Sequence, residues 1–523
     1  MLELLIHQIT RLIYVPEEGM VHPGITPDWV LLVLFAMSLI VIRTLLLKPA
    51  SAGETRGISF ARIPGIQPYL RMMLTRPWVL VGFRLFAVAV FLLVIYAGLF
   101  GNPVPERNIA TVLTWTVWWS AVIISVFFVG SAWCAICPWD ALSVWLMRRK
   151  LWRRGGANSS LNLRVPKVFR NVWLALLMFV GLTWLELGMG VTTSPYETAL
   201  LALLMVVLAS VSLAIYERKA FCRYFCAVGR TIGAYSAVSP STWRPVDATT
   251  CAACKTLECY HGTSEVEPCP THLVMGRITQ NTYCTSCGAC TLSCPKQNVN
   301  WRLRPVGEEI VHASRPHWDE AWFILGLLSL TVFHGMTMMP YWEDWMRRLA
   351  YVIGDSGSLL GSFSIGMAAG MLIPILCYLA VIKLTQRVTR TDLEFRRLFS
   401  TLAFSLLPLA FTYHIAHNLT HLVREGQGFW SVVMNPLGVE ALPLTMHEIH
   451  MRHMNPLLPD NVVFALQGTL VIFGFWLALK IARQRLTASV GAGIAGFLPI
   501  LIFIAVVSLT DLWLLMQPMV MRM

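Results

Sequence analysis

Charged residues are scarce in this sequence. Asp, Glu, Lys and Arg make up 13% of the 523 residues, while hydrophobic residues make up 56%. Soluble domains carry about 25% charged residues, so the composition argues against a soluble globular chain. Apolar runs of about twenty residues, the length that crosses a bilayer, recur along the sequence. The sequence therefore predicts an α-helical polytopic membrane protein that contacts membrane lipid.

Acidic residues are scarcer than basic ones. The 28 Asp and Glu residues stand against 41 Lys and Arg residues, which gives a formal net charge of +13. A basic excess can indicate a nucleic-acid partner, but these basic residues lie in short loops between apolar runs and form no single stripe. Their distribution is a topology signal, and no nucleic-acid partner is expected.

Common catalytic motifs are missing. There is no G-x-x-x-x-G-K-[ST] loop, no H-E-x-x-H pair, no nucleophile elbow and no Rossmann fingerprint. Residues 1–29 also lack the basic, apolar and small-residue order of a cleavable signal peptide, and we expect them to form an outer N-terminal segment. The absent motifs leave no signal for nucleotide-dependent or hydrolytic chemistry.

The apolar runs predict about ten membrane spans. They cover roughly residues 29–47, 78–100, 111–133, 171–191, 197–216, 320–339, 358–383, 398–422, 462–481 and 490–516. We expect a first membrane bundle at 30–243, a soluble segment at 244–316 and a second bundle at 317–523.

Lys and Arg concentrate in every second loop. They are Lys48, Arg56, Arg62, Arg71 and Arg76 after the first run, Arg148, Arg149, Lys150, Arg153 and Arg154 after the third, Arg218, Lys219 and Arg223 after the fifth, Arg387, Arg390, Arg396 and Arg397 after the seventh, and Arg483 and Arg485 after the ninth. By the positive-inside rule these loops are cytoplasmic. Both termini are then outside an inner (cytoplasmic) membrane, and the soluble segment faces the cytoplasm.

Cysteine is nearly absent outside one region. Of the 13 cysteines, 12 lie between Cys134 and Cys294, in metal-ligand spacing rather than as a disulfide scaffold, and this favours a reducing compartment. Cys377 stands alone in the seventh run, where we expect a small buried apolar residue.

Eight of these cysteines have the spacing of a bacterial two-cluster ferredoxin. The pattern is C-x2-C-x4-C, then C-P, then C-x2-C-x2-C-x3-C-P. In such ferredoxins the last cysteine of each run ligates the other run's cluster. The pattern therefore predicts two [4Fe–4S] clusters, one held by Cys251, Cys254, Cys259 and Cys294 and the other by Cys269, Cys284, Cys287 and Cys290. The alternative is a zinc ribbon, against which the tight run ending at Cys294 argues.

The other four cysteines form two pairs at predicted helix ends. Cys134 and Cys137 end the third run, and Cys222 and Cys226 follow the fifth, so both pairs should lie at the cytoplasmic membrane surface beside the ferredoxin segment. Three interpretations stay open: a third metal centre with four thiolate ligands, a redox-active dithiol, or inert thiols packed at helix ends.

Paired cysteine motifs at membrane helix ends, followed by a two-cluster ferredoxin segment, resemble a family of membrane iron–sulfur proteins. Its members include the membrane ferredoxin of periplasmic nitrate reductase systems, the nitrous oxide reductase maturation protein and the copper-oxidase assembly ferredoxin. The resemblance covers about residues 78–300. The family motif is C-x3-C-P, occurring twice, whereas here the copies are Cys134-x2-Cys137-Pro138 and Cys222-x3-Cys226-Ala227.

The resemblance implies electron transfer between the quinone pool and a periplasmic pathway. Some relatives carry a large flavin domain before the first span, and the short segment at residues 1–29 predicts no covalent flavin here. Quinol oxidation needs proton acceptors within the membrane, for which Glu186 and Asp511 are candidates. The simpler expectation is that each lies at the interface and is solvated.

The second half of the sequence, outside the resemblance, is rich in histidine. His414, His417 and His421 share one face of the eighth run at i, i+3 and i+7, and His334 lies at similar depth on the sixth. Four interpretations stay open: axial ligands of haem b, a copper site with nearby methionines, a quinol site, or hydrogen-bonded core histidines. The outer loop adds three candidate metal ligands, which are His447, His450 and His453.

These patterns together predict a membrane-bound iron–sulfur electron-transfer protein, of the quinol dehydrogenase type, that works with a partner redox protein. Two alternatives stay open. One is a protein for maturation or reduction of a copper centre, and the other is a membrane anchor that docks a partner redox enzyme.

Overall fold

Ten helices make up the membrane part of this computed structural model, which describes residues 21–47, 57–59, 63, 65, 69, 76–148 and 160–520. In chain order they are α1 (Pro27–Leu46), α2 (Pro77–Phe100), α3 (Ile109–Val129), α4 (Trp173–Gly188), α5 (Pro195–Ile215), α6 (Trp318–Thr337), α7 (Leu360–Thr389), α8 (Phe395–Met434), α9 (Asp460–Val490) and α10 (Ile494–Met516). Within the described ranges, nine of them, all but α4, are long and apolar enough to span a membrane. The multi-pass helical architecture is thus confirmed.

Strand β1 (Val21–His22) pairs antiparallel with β5 (Met519–Val520), so the two described chain ends lie on the same side of the bundle. Helix α4 is apolar but shorter than the other nine helices. At 1.5 Å per residue its 16 residues reach about 24 Å.

Helix boundaries follow from local chemistry. The N-cap residue Ser194 accepts a hydrogen bond from the Glu197 backbone N–H at 3.3 Å, and Pro195 occupies the first helical position of α5. Asn108 accepts from the Ala110 N–H at 2.9 Å and so starts α3. Gly491, with a φ of 61°, ends α9 in the left-handed region.

Helix α8 is the centre of the bundle. The apolar window of α8 is 94% buried, compared with 17% for α1 and for α7, which lie at the rim. It packs against α9, α6 and α3. A helix that is buried on all sides must pair its polar groups inside the protein. The histidines of α8 therefore need hydrogen-bond partners from neighbouring residues.

The segment between α5 and α6 carries the cysteines on a small frame. Strands β2 (Ile58–Ser59), β3 (Ser241–Pro245) and β4 (Val299–Leu303) form an antiparallel sheet in the order β2-β4-β3. Strand β2 comes from the residues before α2, and the first strand of the segment itself begins at Ser241, three residues before the predicted boundary at 244. We call this side of the bundle the cysteine side, and the side with β1 and β5 the terminal side.

Charged side chains fix the cysteine-rich segment to the helices. Glu309, which is 4% exposed, pairs with both Arg244 and Arg304. The Arg304 guanidinium also donates to the Ser236 and Ser239 carbonyls at 3.1 Å, next to the membrane bundle. These bonds join Glu309, β3 and the end of β4 to the turn at residues 236–239.

Four sequence predictions need correction or restriction. Cys377 is exposed on the rim helix α7 rather than buried. Asp511 is 3% exposed inside α10 rather than solvated at an interface. Helix α8 runs past 422 to Met434 because its charged residues there are buried and paired. Part of the topology signal lies outside the described residues, namely residues 1–20, Lys48, Arg56, Arg62, Arg71, Arg149, Lys150, Arg153 and Arg154.

Candidate functional site

The first set of predicted ligands, which we name group 1, comprises Cys251, Cys254, Cys259 and Cys294. Asn298 connects its two ends: its side-chain amide donates to Cys251 Sγ at 3.3 Å, and its backbone N–H donates to Cys294 Sγ at 3.4 Å. Burial is the main cause that raises the pKa of the Cys251 thiol, and the charges of Cys294 and Cys254 add to it. Cysteines from two separate runs therefore meet, as the spacing predicts.

Group 2 comprises Cys269, Cys284, Cys287 and Cys290, and these four line a single cavity. Trp243, Leu273 and Met275 form its apolar wall. Burial raises the pKa of Cys284 to about 12, and the nearby Cys287 and Cys269 contribute. Two backbone amides donate to the sulfurs: Leu273 N–H to Cys269 at 3.3 Å and Ser286 N–H to Cys284 at 3.4 Å. Such amide bonds favour thiolate ligands.

Group 3 comprises the two pairs at the helix ends, Cys134, Cys137, Cys222 and Cys226, which the structure brings together. Burial raises the pKa of Cys134 to about 12, and the charge of Cys226 adds to the rise. Burial likewise raises the pKa of Cys137, with contributions from Cys222 and Cys134.

The charged surroundings of group 3 were not predicted from the sequence. A buried pair, Lys219 Nζ and Asp140 Oδ2 at 2.5 Å, lies against it, and Cys222 Sγ donates to Asp140 Oδ1 at 3.7 Å. The positive charge of Arg230 opposes the rise in the pKa of Cys134 and Cys226. Burial and the charge of Asp140 therefore raise the pKa of these thiols, while the charges of Lys219 and Arg230 oppose that rise.

The three groups follow one another in space. Cys259 of group 1 is close enough to Cys269 and Cys290 of group 2 for their charges to interact. Cys284 of group 2 interacts in the same way with Cys134 of group 3. Cys259 packs in one cluster with Cys269, Cys284 and Cys290, and the Ser131 hydroxyl, three residues before Cys134, donates to the Cys284 carbonyl at 2.6 Å. The groups therefore follow in the order 1, 2, 3 towards the membrane helices.

Strained backbone accompanies the cysteines. Within the described ranges nine non-glycine residues have positive φ, and five of them lie within four residues of a cysteine in these groups; they are Arg218, Leu257, His272, Ser286 and Gln297. Left-handed backbone costs of order 1–3 kcal/mol per residue and persists where the surroundings enforce it, commonly at ligand sites. The loops are thus shaped around the sulfurs.

Aromatic rings lead from group 3 into the bundle. Trp133 and Trp139, which flank the Cys134 motif, pack against Trp118 with ring centroids 5.5 and 6.0 Å apart. Trp118 contacts Trp119 at 5.8 Å, and Trp119 contacts His414 at 5.6 Å. The predicted histidine face of α8 is therefore continuous with group 3.

The histidines form a column along α8. The Tyr235 hydroxyl lies 3.0 Å from His414 Nδ1. Further along, the ring of His417 is 5.0 Å from both His334 and His421. His421 Nδ1 lies 2.7 Å from Glu425 Oε1. The column thus ends at a carboxylate on the terminal side.

Metal binding by the histidines stays a prediction. Among the described residues, no group of three or more His, Cys, Asp or Glu side chains is placed to hold a metal ion. His334 and His417 touch edge to face, so a porphyrin would require them to separate. On the surface helix Met446–Met454, His447 and His450 are exposed, and the side chain of His453 lies outside the described residues.

Metal binding by the cysteine groups also stays a prediction, because the same finding covers the cysteine side chains of the described ranges. One zinc ion draws four sulfurs to about 2.3 Å each, whereas a cluster spreads its thiolates over several iron atoms. A cluster at group 2 would use the cavity that its four cysteines line and the backbone amides that donate to Cys269 and Cys284. Binding would deprotonate thiols whose raised pKa otherwise keeps them neutral.

Sequence reasoning missed several neighbours of these groups. Glu425 follows His421 at i+4, so helical spacing alone could have paired them. Tyr235 and Thr116 reach α8 from other helices, and no local pattern connects them. Glu186, a candidate proton acceptor, is half-buried near the end of α4.

Comparisons with protein-family models, with curated proteins and with solved structures return no match to this chain.

Proposed function

We propose that this chain is a membrane-bound iron–sulfur electron-transfer protein. Groups 1 and 2 would each hold a [4Fe–4S] cluster and group 3 a third metal centre, and these supply one-electron steps. Electrons would pass between the quinone pool or a cytoplasmic donor and an acceptor on the outer face. The observation that carries the proposal is the spatial succession of three four-cysteine groups, from the cysteine-rich segment to the membrane helix ends.

The orientation in this proposal follows the basic loops. Basic residues of the cysteine side, such as Arg148, Arg218 and Arg485, would face the cytoplasm of an inner membrane. The terminal side would face outward, and the pairing of β1 with β5 agrees with two outer termini. A partner redox protein would then meet group 1, the group furthest from the helices.

Metal analysis of the anaerobically purified chain tests the proposal. We expect about twelve iron atoms per chain, because three groups of four thiolates would each hold a four-iron cluster. Iron would be quantified together with copper, zinc and haem, and the clusters followed by EPR. An iron content of about eight atoms per chain would mean that group 3 holds no four-iron cluster. Zinc in place of iron would refute the proposal, and clusters that no electron donor reduces would favour a docking anchor.

A further inference from the structure

A cleft opens on the terminal side at the end of the histidine column. Its empty space, including the open mouth, is about 730 Å³. Val112, Trp115 and Thr116 of α3 form one wall, Arg424 and Glu425 of α8 form another, and Arg452 lies above them. We name it the terminal cleft.

The α3 wall of the cleft has unusual backbone. Residues Val112–Trp118 form a π-helical stretch inside α3, and Trp115 and Thr116 lie within it. Insertions of π-helix are rare and often occur at functional sites, because the bulge redirects side chains. Here the π-helical stretch contains Trp115, which lines the cleft, and Thr116, whose hydroxyl donates to Glu425.

Glu425 is positioned by two different helices. Its Oε1 lies 2.7 Å from His421 Nδ1, and its Oε2 accepts a hydrogen bond from Thr116 Oγ1 at 3.2 Å. The side chain is 11% exposed. A carboxylate held this way near the end of a membrane helix is costly to bury unless it binds or transfers something.

The mouth of the cleft gives access to apolar surroundings. Thr192 and Thr193, in the turn between α4 and α5, line it. Met189 and Tyr196 flank this turn and are 52% and 55% exposed. In a membrane protein, exposed apolar side chains at a helix end indicate lipid contact. A ligand with a polar head and a hydrocarbon tail could therefore enter from the bilayer.

We propose that the terminal cleft binds the head group of a membrane hydroquinone, with Glu425 accepting a hydrogen bond and then a proton from one hydroxyl. The planar head group fits against Trp115, and its hydroxyl donors match the carboxylate. Oxidation would release two protons and two electrons and leave the quinone. The protons leave through Glu425 and the cleft mouth, and the electrons pass singly to the iron–sulfur clusters, so the redox step rests on the proposed function.

Binding can be measured without turnover. Protein whose clusters have been reduced with dithionite accepts no electrons, and duroquinol would be titrated into it calorimetrically. We expect Glu425→Gln to weaken duroquinol binding about tenfold, because it removes a charge-assisted hydrogen bond. Glu440→Gln, at an exposed carboxylate on the same side, should bind like the unaltered chain.

Kinetics give a second readout. With oxidised protein, Glu425→Gln should slow reduction of the clusters by duroquinol about 100-fold, since a general base is lost, and Glu425→Asp should recover part of the rate. Dithionite should reduce all variants equally. Unchanged binding and rate in Glu425→Gln would overturn the cleft proposal while the clusters remain. A chain that contains no iron would instead overturn the proposed function, and displacement of duroquinol by citrate would favour an anion site.

Discussion

Cys287→Ser should remove one cluster's EPR signal and about four iron atoms per chain, because group 2 loses one of its four thiolates. Cys287 lines the same cavity as Cys269, Cys284 and Cys290. The signal of group 1 should persist, since none of its sulfurs lines that cavity. Iron analysis and EPR of the anaerobically purified variant measure both outcomes.

Two matched variants make this result specific. Cys377→Ser changes an exposed cysteine on α7, far along the chain from the three groups, and should keep all the iron. Cys294→Ser should remove a different signal from Cys287→Ser, because Asn298 places Cys294 beside Cys251. If Cys287→Ser and Cys294→Ser abolish the same signal, the crossed assignment of ligands is wrong.

The sequence predicted the spans and the cysteine sets because both depend on spacing along the chain. The length of an apolar run can be counted directly in the sequence, and the C-x2-C runs bring their sulfurs together by local folding. The contact between Cys251 and Cys294 was predictable only from the known crossing of ferredoxin halves. The structure brings the same residues together at Asn298, whose side-chain amide donates to Cys251 and whose backbone N–H donates to Cys294.

Helix rotation and partnered charges were not predictable from the sequence. Helices α7 and α10 are apolar on all sides, so no pattern shows that Cys377 faces outward and Asp511 inward. In the sequence, the charge of Arg424 after an apolar run indicates the end of a span. In the structure Arg424 pairs with Asp460 of α9, and α8 continues past it. Such pairs join residues far apart in the chain, which a single sequence does not reveal.

Glu309→Gln should destabilise the cysteine-rich segment. The substitution keeps the size of the side chain but leaves Arg244 and Arg304 without their carboxylate. Breaking a buried ion pair from one side typically costs about 3–5 kcal/mol, because the remaining charges stay buried and unpaired. We expect a loss of that order in the free energy of unfolding of the segment, measured as the urea concentration at which the visible absorbance of the clusters disappears.

An exposed pair provides the matched control for this substitution. Glu343 pairs with Arg347 one helical turn away at 2.6 Å, and its side chain is 63% exposed. Exposed i,i+4 pairs contribute about 0.3–0.5 kcal/mol, so Glu343→Gln should leave the urea transition almost unchanged. The decisive comparison lies between the two variants, since both remove one negative charge. Equal, small shifts would mean that the Glu309 triad does not stabilise the segment.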